Sequence, residues 1–280
     1  MDSRKIVIVT GFQGVNKYDD YTTLGRGGSD TTAVALAAAL RADACEIYTD
    51  VDGVYTADPR VVKNARKLKE ITYDEMLELA TSGAKVLHNR SVEMAKKYGV
   101  QLVVRSSMNL EEGTTVKEVA KMEKMLISGV AGDKNTARIS VLGVSDQPGV
   151  AFKIFHTLAK NNINVDIILQ SVGREGTKDI SFTVSQEDLK PALAILEEYQ
   201  EPMTIREIKW EDTVAKISIV GAGMMSNPGV AAKLFESLYN NGININMIST
   251  SEIRITVLID EKEIDKAMQA VHDGFGLGDV

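Results

Sequence analysis

The segment GRGGSDTT (residues 25–32) concentrates residue types that bind anions. Its glycines let a ligand approach the backbone closely, and Arg26 offers a planar fork that suits a carboxylate or a phosphate. Ser29 or Asp30 is placed to cap the following helix, whose free N–H groups favour an anion. The spacing fits neither a Walker A loop nor a G-x-G-x-x-G fingerprint. Two interpretations stay open: an anion-binding loop, or a flexible turn before a capped helix.

The segment YTDVDGVYTADPR (residues 48–60) follows a short apolar strand and holds three aspartates and an arginine. Ligands of open α/β sheets bind at the carboxyl ends of strands. Asp50, Asp52 and Asp58 are therefore candidates to hold a ribose, an adenine amino group or Mg²⁺. The alternative is a set of Asx turns, because VDG and ADP are ordinary turn sequences.

The elements that must position these residues are predicted from hydrophobic patterning. The pattern predicts a strand over residues 5–14, a helix over 31–43, a strand over 45–51, a helical segment over 72–99 and a strand over 100–107. Continuous apolar strands that alternate with helices indicate a parallel or mostly parallel sheet covered on both faces. The polar stretch that follows, residues 109–125, marks a domain boundary.

The rest of the chain contains an internal repeat. ISVLG (139–143) recurs as ISIVG (217–221), PGVA (148–151) recurs unchanged at 228–231, and NNIN (161–164) recurs as NGIN (241–244). Each repeat reads as strand, helix, strand, strand, helix, strand, which is a ferredoxin-like unit.

Composition excludes several classes of protein. The 280 residues carry a net charge of -7, which argues against sequence-independent nucleic-acid binding. Cys45 is the only cysteine, so no disulfide forms within the chain, and we expect a buried thiol in a reducing cytoplasm. No apolar stretch approaches the ~20 residues of a membrane span. The three histidines are scattered without metal-ligand spacing, so we assign them to surface or core and expect no protein-held metal.

Four stretches together resemble the aspartate kinase family: TTLGRGGSDTTA, EIYTDVDGVYTADPR, GAKVLH and STSEIRI. The resemblance covers the whole chain. It implies a partial α/β amino-acid-kinase fold followed by two ferredoxin-like βαββαβ ACT domains, with boundaries at 1–120, 121–202 and 203–280. The activity implied is transfer of the γ-phosphate of ATP to the side-chain carboxylate of L-aspartate. The product, 4-phospho-L-aspartate, begins lysine, threonine and methionine biosynthesis.

The resemblance also implies roles for single residues. Arg26 and Ser29 lie where the family holds aspartate, and Asp30 matches a catalytic carboxylate. The nucleotide-contacting positions are Thr49, Asp50, Tyr55, Asp58 and Arg60, with Lys85 on the phosphate side. ATP is the co-substrate that these positions imply, and Mg²⁺ is expected to accompany it.

Effectors in this family bind between the first ACT domain of one chain and the second of another. The backbone N–H groups before each Pro-Gly helix would meet the effector carboxylate. The resemblance thus implies lysine, threonine or both as effectors, and a dimer through the ACT domains or an α2β2 assembly. The implied effector-binding residues are Asp146, Gly149, Ala151, Asn164, Asp166, Gln170, Asn244 and Ile245.

One departure from the family pattern is large. The family begins with a strand and a K-x-G-G-T-S loop whose lysine faces the phosphates, and this sequence has no such motif. Roughly the first third of a complete kinase is expected to be absent, so we expect this chain alone to be inactive. The rival interpretation is a regulatory, amino-acid-binding subunit or fragment with no catalytic activity of its own.

Overall fold

The computed structural model describes residues 5–84, 86–119, 126–172, 176–201 and 204–279. The elements before residue 120 are β1 (Gln13–Val15), β2 (Tyr21–Thr23), α1 (Gly28–Leu40), β3 (Cys45–Thr49), β4 (Glu70–Thr72), α2 (Tyr73–Thr81), α3 (Asn89–Tyr98), β5 (Leu102–Ser106) and β6 (Thr114–Lys117). The elements after residue 125 are β7 (Gly129–Ser145), α4 (Val150–Lys160), β8 (Ile168–Val172), β9 (Thr177–Val184), α5 (Gln186–Glu198), β10 (Glu207–Val220), α6 (Val230–Asn240), β11 (Met247–Thr250), β12 (Arg254–Asp260) and α7 (Ile264–Gly274).

The first region is built on a four-stranded sheet in the order β3-β5-β6-β4. β3 pairs with β5 and β4 with β6 in parallel, whereas β5 and β6 are antiparallel. Helices α1, α2 and α3 bury the apolar face of this sheet, which includes Ile47 and Leu102. The prediction of a sheet covered on both faces is wrong among the described residues. The outward positions carry charged side chains such as Glu46 and Arg105, which line an open cleft of about 680 Å³ instead of packing under helices.

The strand predicted over residues 5–14 is wrong for most of its length. Only its last residues belong to a strand, β1, which pairs with β2 in a separate two-stranded sheet. Ile6 and Ile8 are 95% and 92% exposed. A continuous apolar strand is stable between neighbouring strands with both faces covered, and no strand of the described residues pairs with this run.

The segment predicted as helical over 72–99 forms two helices, α2 and α3. Thr72 begins α2 with a capping box, in which its side chain and that of Glu75 each accept from the other's backbone N–H. Beyond the end of α2, Gly83 has φ of 113°, which residues with a Cβ rarely adopt. His88 then caps α3 through its side chain. The helical pattern was therefore correct in type and wrong in continuity.

The two repeats share one six-stranded sheet in the order β11-β12-β10-β7-β9-β8. We call residues 137–211 the first repeat unit, in which β7 pairs with β9 and with the first part of β10. The second repeat unit begins at residue 214, where the rest of β10 pairs with β12. Its fourth strand is supplied by residues 129–136 of β7, ahead of the first unit. Both units thus have a ferredoxin-like sheet with two helices, and the first has the predicted order of elements. The final strand predicted for the second repeat is wrong among the described residues, because no strand follows α7 and residues 129–136 take its place. The domain boundaries at 120/121 and 202/203 stay a prediction.

The second repeat unit packs against the first region along a buried apolar surface. Its core includes Ala57 and Val62 from the loop after β3. The core of the first region in turn includes Ala131 of β7 and Val220 of β10. Because residues from each region complete the core of the other, the loop after β3 is held by the repeat unit.

A fully buried histidine lies in this surface. Nε2 of His272, on α7, is 2.9 Å from Oγ1 of Thr56, and its Nδ1 has no hydrogen-bond partner. Burial lowers the pKa of His272, while the neighbouring carboxylate of Asp273, 3.8 Å from Nδ1, opposes that shift. The sequence left His272 to the surface or the core, and the structure places it in the core; its contact with the loop after β3 was not predicted.

The lowered pKa of His272 predicts a pH-dependent stability. As pH falls through the unfolded-state pKa of about 6.5, the unfolded chain takes up a proton that the folded chain resists. The free energy of unfolding should therefore fall with decreasing pH, by at most about 1.4 kcal/mol per pH unit for this one group. His272→Gln should flatten the profile between about pH 7 and 5, measured by urea denaturation. His156→Gln, at an exposed position of α4, is the matched control, and an unchanged profile in His272→Gln would contradict the assignment.

Candidate functional site

The glycine loop lies at the start of α1. Gly25 and Gly27 both have φ of 74°, a left-handed conformation that glycine adopts without a steric penalty. Gly27 is the residue before the helix, and no side chain caps it. The prediction that Ser29 or Asp30 caps the helix is therefore wrong, because α1 begins at Gly28 and both residues lie inside its first turn. The free N–H groups of this turn remain available to an anion.

Helix α3 fixes the shape of this loop. Nη2 of Arg90 donates to the carbonyl oxygens of Leu24 and Arg26, each at 2.8 Å. A Cβ on Gly27 would overlap the ring of His88, so only glycine allows this approach. Sequence reasoning missed both α3 residues and assigned His88 to surface or core. The place of His88 in GAKVLH, three residues after the predicted phosphate contact Lys85, was the signal that could have found it.

Asp30, in the first turn of α1, and His88, which caps α3, are both half-buried beside the glycine loop. Burial raises the pKa of Asp30, and the charge and backbone N–H of His88 oppose that rise. Arg26 and Ser29 are exposed, so their side chains are accessible to a ligand. An exposed arginine and the N–H groups of the first turn of α1 thus lie within a few residues of each other, and groups of this kind suit a ligand with anionic groups.

Cys45 lies at the start of β3, under α1. The residue is 7% exposed, which confirms the prediction of a buried cysteine. Burial raises the pKa of the thiol, and the charge of Asp30 raises it further. A thiol held in this protonated form is a packing residue and not a nucleophile.

The predicted nucleotide positions follow β3. Thr49 ends the strand, and its Oγ1 donates to Oδ1 of Asp50 at 3.0 Å. The Tyr55 hydroxyl donates to Asp52 at 2.9 Å, and Nζ of Lys67 is 3.3 Å from the same carboxylate. Burial raises the pKa of Asp52, but the hydrogen bonds from Tyr55 and Lys67 outweigh it and leave the pKa below its usual value.

Asp58 and Arg60 pair with each other across a turn. Nε and Nη2 of Arg60 donate to the two carboxylate oxygens at 3.0 and 2.7 Å, and these bonds hold the pKa of Asp58 below its usual value. The backbone N–H of Arg60 also donates to Oδ1 of Asp58, so the structure forms a turn of the kind that one interpretation of the sequence expected. The other interpretation, that these carboxylates hold a ligand, stays a prediction. Lys85 lies outside the described residues.

The loop before each Pro-Gly helix has the same backbone form. Gly149 and Gly229 both have φ of 95° and precede α4 and α6. Ala151 lies in the first turn of α4. Asp146 is paired with Lys178 at 3.0 Å, and Gln170 is exposed on the edge strand β8. Two helix N-termini of the same geometry therefore face solvent.

The segments before β8 and β11 connect the two repeat units. The buried Nζ of Lys216, on β10, is 2.6 Å from Asp166 and 3.3 Å from Asp133. In the matching place of the other unit, Nη1 of Arg138 on β7 contacts the carbonyl oxygen of Asn246 at 3.5 Å. The remaining predicted effector residues lie in these segments: Asn164 and Asn244 are exposed and Ile245 is half-buried. Asp166 is thus already bonded to a lysine of the second unit.

Two general properties can be read from the described residues. They contain no group of three or more histidine, cysteine, aspartate or glutamate side chains arranged to hold a metal ion. Within the same residues, every helix is too short or too polar to span a bilayer.

Comparison with known sequences gives two family matches. Residues 1–106 match the amino acid kinase family, and residues 139–200 and 217–275 match the ACT domain. Aspartokinase of Bacillus sp. (strain MGA3) is 52% identical over 278 residues, which cover 99% of this chain and 68% of that protein.

Comparison with solved structures gives the same relationship. Aspartokinase III of E. coli in complex with aspartate and ADP matches with a TM-score of 0.81 and 31% identity, over 94% of this chain and 59% of that chain. The same protein in complex with lysine and aspartate matches with a TM-score of 0.74. The regulatory subunit of aspartate kinase from Thermus thermophilus matches over 54% of this chain and 99% of its own, with 40% identity and a TM-score of 0.51. The chain therefore spans about three fifths of the length of the E. coli structure.

The raised pKa of Asp30 predicts that its ionised form lowers stability. The folded state holds the proton more tightly than the unfolded state does. The resulting loss of folding stability is complete once pH has risen through the folded-state pKa, and it is absent below the unfolded-state pKa of about 3.9. Asp30→Asn mimics the protonated form and should raise the melting temperature at pH 7 by about 1–2 °C, with a smaller gain at pH 4.5. The measurement is differential scanning calorimetry at both values.

Asp74→Asn is the matched control, because Asp74 lies in the first turn of α2 but is exposed and paired with Lys96 at 2.6 Å. That variant should gain no stability. A gain from Asp30→Asn that is the same at both pH values would show that the ionised carboxylate is not the cause.

Proposed function

Because this chain belongs to the aspartokinase family, we propose that residues 1–120 carry part of a site that phosphorylates L-aspartate. The γ-phosphate of ATP would pass to the side-chain carboxylate of aspartate and give 4-phospho-L-aspartate. This reaction is the first step of lysine, threonine and methionine biosynthesis, and we place it in the cytoplasm.

The observation that carries the proposal is the glycine loop at the start of α1. Its left-handed glycines expose backbone N–H groups, and the exposed fork of Arg26 lies beside them. In the proposed reaction Arg26 and Ser29 bind and orient the aspartate substrate. Asp30 lies one residue further and is proposed to act near the reacting carboxylate. Phosphoryl transfer depends on positioning and on charge stabilisation more than on covalent steps.

ATP is proposed to lie along the polar strip after β3. Thr49 and Asp50 would meet the nucleotide at the carboxyl end of the strand, where α/β sheets bind ligands. Tyr55, Asp58 and Arg60 continue the strip, and Lys85 is proposed to face the phosphates. Mg²⁺ would arrive with ATP, since this ion is commonly held by substrate phosphates and one or two carboxylates. The aspartate and ADP bound to E. coli aspartokinase III support both substrate proposals.

We propose that the chain 1–280 has no kinase activity by itself. Its sequence contains no K-x-G-G-T-S motif, and the lysine of that motif would supply a cation near the developing phosphate charge. The open cleft on the outer face of the four-stranded sheet is consistent with a catalytic domain that needs further elements.

The repeat units are proposed to be ACT domains, at 121–202 and 203–280, that bind lysine, threonine or both. Asp146, Gly149 and Ala151 would receive an effector at one helix N-terminus. The other proposed contacts are Asn164, Asp166, Gln170, Asn244 and Ile245, in a dimer through the ACT domains or an α2β2 assembly. The lysine bound to E. coli aspartokinase III supports an effector of this chemistry.

A second candidate function is a regulatory subunit that binds amino acids without catalysis. The match to 99% of the Thermus thermophilus regulatory subunit favours it. The retained glycine loop and polar strip favour the kinase instead, because a subunit that only regulates has no use for a substrate loop.

Substitution of Arg26 tests the proposed aspartate site. The assay detects 4-phosphoaspartate by trapping it as its hydroxamate. It compares the chain 1–280 with an extended chain, in which a segment of a family member that contains K-x-G-G-T-S is fused upstream. We expect product only from the extended chain. In that chain Arg26→Ala should lose a charge-assisted pair worth about 2–4 kcal/mol, so kcat/KM for aspartate should fall about 30- to 700-fold while KM for ATP changes little.

Two further variants control this result. Arg26→Lys keeps the charge without the fork and should lie between Ala and the parent. Arg41→Asn alters the exposed arginine at the other end of α1, where Asn tolerates the left-handed backbone, and should leave both constants unchanged. Equal losses for aspartate and ATP in Arg26→Ala would mean that Arg26 shapes the loop. Product from 1–280 alone would contradict the proposed inactivity.

A further inference from the structure

Glu75 of α2 is a buried carboxylate with two separate sets of partners. The residue is only 5% exposed. Oε2 accepts from the backbone N–H and the hydroxyl of Thr72, at 3.2 and 2.8 Å, which closes the capping box of α2. Oε1 accepts from the hydroxyl of Ser128 at 2.5 Å and from the backbone N–H of Ala222 at 3.0 Å. The second pair has no part in helix capping, because both donors lie beyond the first region.

Ala222 begins the loop that leads into α6. Residues 222–226 form a 3-10 turn, which Asn227 closes by donating from Nδ2 to the carbonyl oxygen of Gly223 at 2.8 Å. The Pro-Gly start of α6 follows directly. A carboxylate of the first region therefore holds one end of the loop that carries the proposed effector-binding N–H groups of the second repeat unit.

Helix α2 contacts the second repeat unit at two more points along its length. Glu78 is paired with Arg254 of β12 at 2.9 Å, and both side chains are largely buried. Beyond the helix, a Cβ on Gly83 would overlap the carbonyl oxygen of Gly132 of β7. Contacts at the start, middle and end of α2 leave it little freedom to move independently of that unit.

The far end of α2 leads to the glycine loop. Nδ2 of Asn89 donates to Oγ1 of Thr81 at 2.9 Å, which joins the end of α2 to the start of α3. The next residue, Arg90, donates to the carbonyls of Leu24 and Arg26. Hydrogen bonds, helix α2 and the first two residues of α3 thus form a continuous connection between the loop before α6 and the loop before α1.

We propose that Glu75 is a positioning residue that couples the loop before α6 to the glycine loop before α1. This inference rests on the proposed function, in which the first loop belongs to an effector site and the second to the aspartate site. A rearrangement of the effector loop that moves the N–H of Ala222 would change the bonds of Glu75, and a tightly packed helix transmits such a change to its other end.

The test perturbs one loop and measures the other in the chain 1–280, by hydrogen exchange with mass spectrometry. Asn227→Ala removes the bond that closes the 222–226 turn. Exchange in residues 222–230 should then rise about fivefold, as expected for one hydrogen bond, and exchange in residues 86–92 should rise about twofold. In a Glu75→Gln background, Asn227→Ala should still raise exchange in residues 222–230 but leave residues 86–92 unaffected. The Gln side chain has one acceptor oxygen, so it cannot accept hydrogen bonds at both positions that the two oxygens of Glu75 occupy.

A matched control separates coupling from helix capping. Thr72→Val removes the hydroxyl of the capping box and leaves both donors to Oε1 in place, so the response at 86–92 to Asn227→Ala should persist. Loss of the response in Thr72→Val as well, or its survival in Glu75→Gln, would overturn the proposal. No response at 86–92 in the parent chain would overturn it too.

A second arm adds lysine or threonine at millimolar concentration. Bound effector should slow exchange at 86–92 in the parent, whereas Glu75→Gln should bind with affinity within about twofold by calorimetry and show no change at 86–92. An equal change in both proteins would contradict the coupling. If neither amino acid binds, the proposed effector fails, and the Asn227→Ala arm still decides the role of Glu75.

Discussion

The antiparallel pairing of β7 with β10 is the interaction on which the rest of the structure depends. Glu207–Glu211 pair with Arg138–Leu142, and after an irregularity at Val214 the pairing continues to Val220 opposite Gly129. Each strand runs through both repeat units: one part pairs within the first unit, while residues 129–136 of β7 complete the four-stranded sheet of the second unit. Unpaired strand edges are costly or hazardous in a folded protein, and this ladder removes them at the centre of the sheet.

The same ladder brings the first region and the repeats together. The end of β10 at Val220 and the start of β7 at Gly129 lie side by side at one end of these central strands, where Val220 enters the core of the first region. Ser128 and Ala222, which flank these strand ends, both donate to Glu75. The start of α2 and the loop before α6 are therefore held at the same strand ends. Under the proposed coupling, regulation across that junction would require an altered set of buried hydrogen bonds and no long-range displacement.

Local patterns predicted what depends on local contacts. The strand predicted over residues 45–51, the internal repeat and the buried thiol follow from alternation and composition. The strand forms over Cys45–Thr49, and the repeat and the buried thiol were confirmed. The exposed run Ile6–Val9 was mistaken for a strand because pairing depends on neighbours that the pattern does not contain. The use of residues 129–136 as the fourth strand of the second unit was invisible for the same reason, since the partner strand lies some eighty residues away.

The candidate site was predictable in part. The glycines and Arg26 were recognisable because positive φ and a planar fork belong to residue types. His88 and Arg90 were missed because their role comes from the packing of α3 against α1, which brings them to a loop more than sixty residues earlier. In the sequence, Glu75 is typical of a capping-box residue. Only the structure shows that its second carboxylate oxygen accepts hydrogen bonds from Ser128 and Ala222.

The most direct test of this account measures the free energy of opening of the backbone amides along β10 by native-state hydrogen exchange. Global unfolding is followed separately through the fluorescence of Trp210, the only tryptophan. If both repeat units depend on one ladder, the amides of residues 207–211 and 214–220 should open with the same free energy, equal to that of global unfolding seen by Trp210 fluorescence. Two distinct values, or a fluorescence transition that precedes exchange in 214–220, would show that the units fold independently and contradict the account.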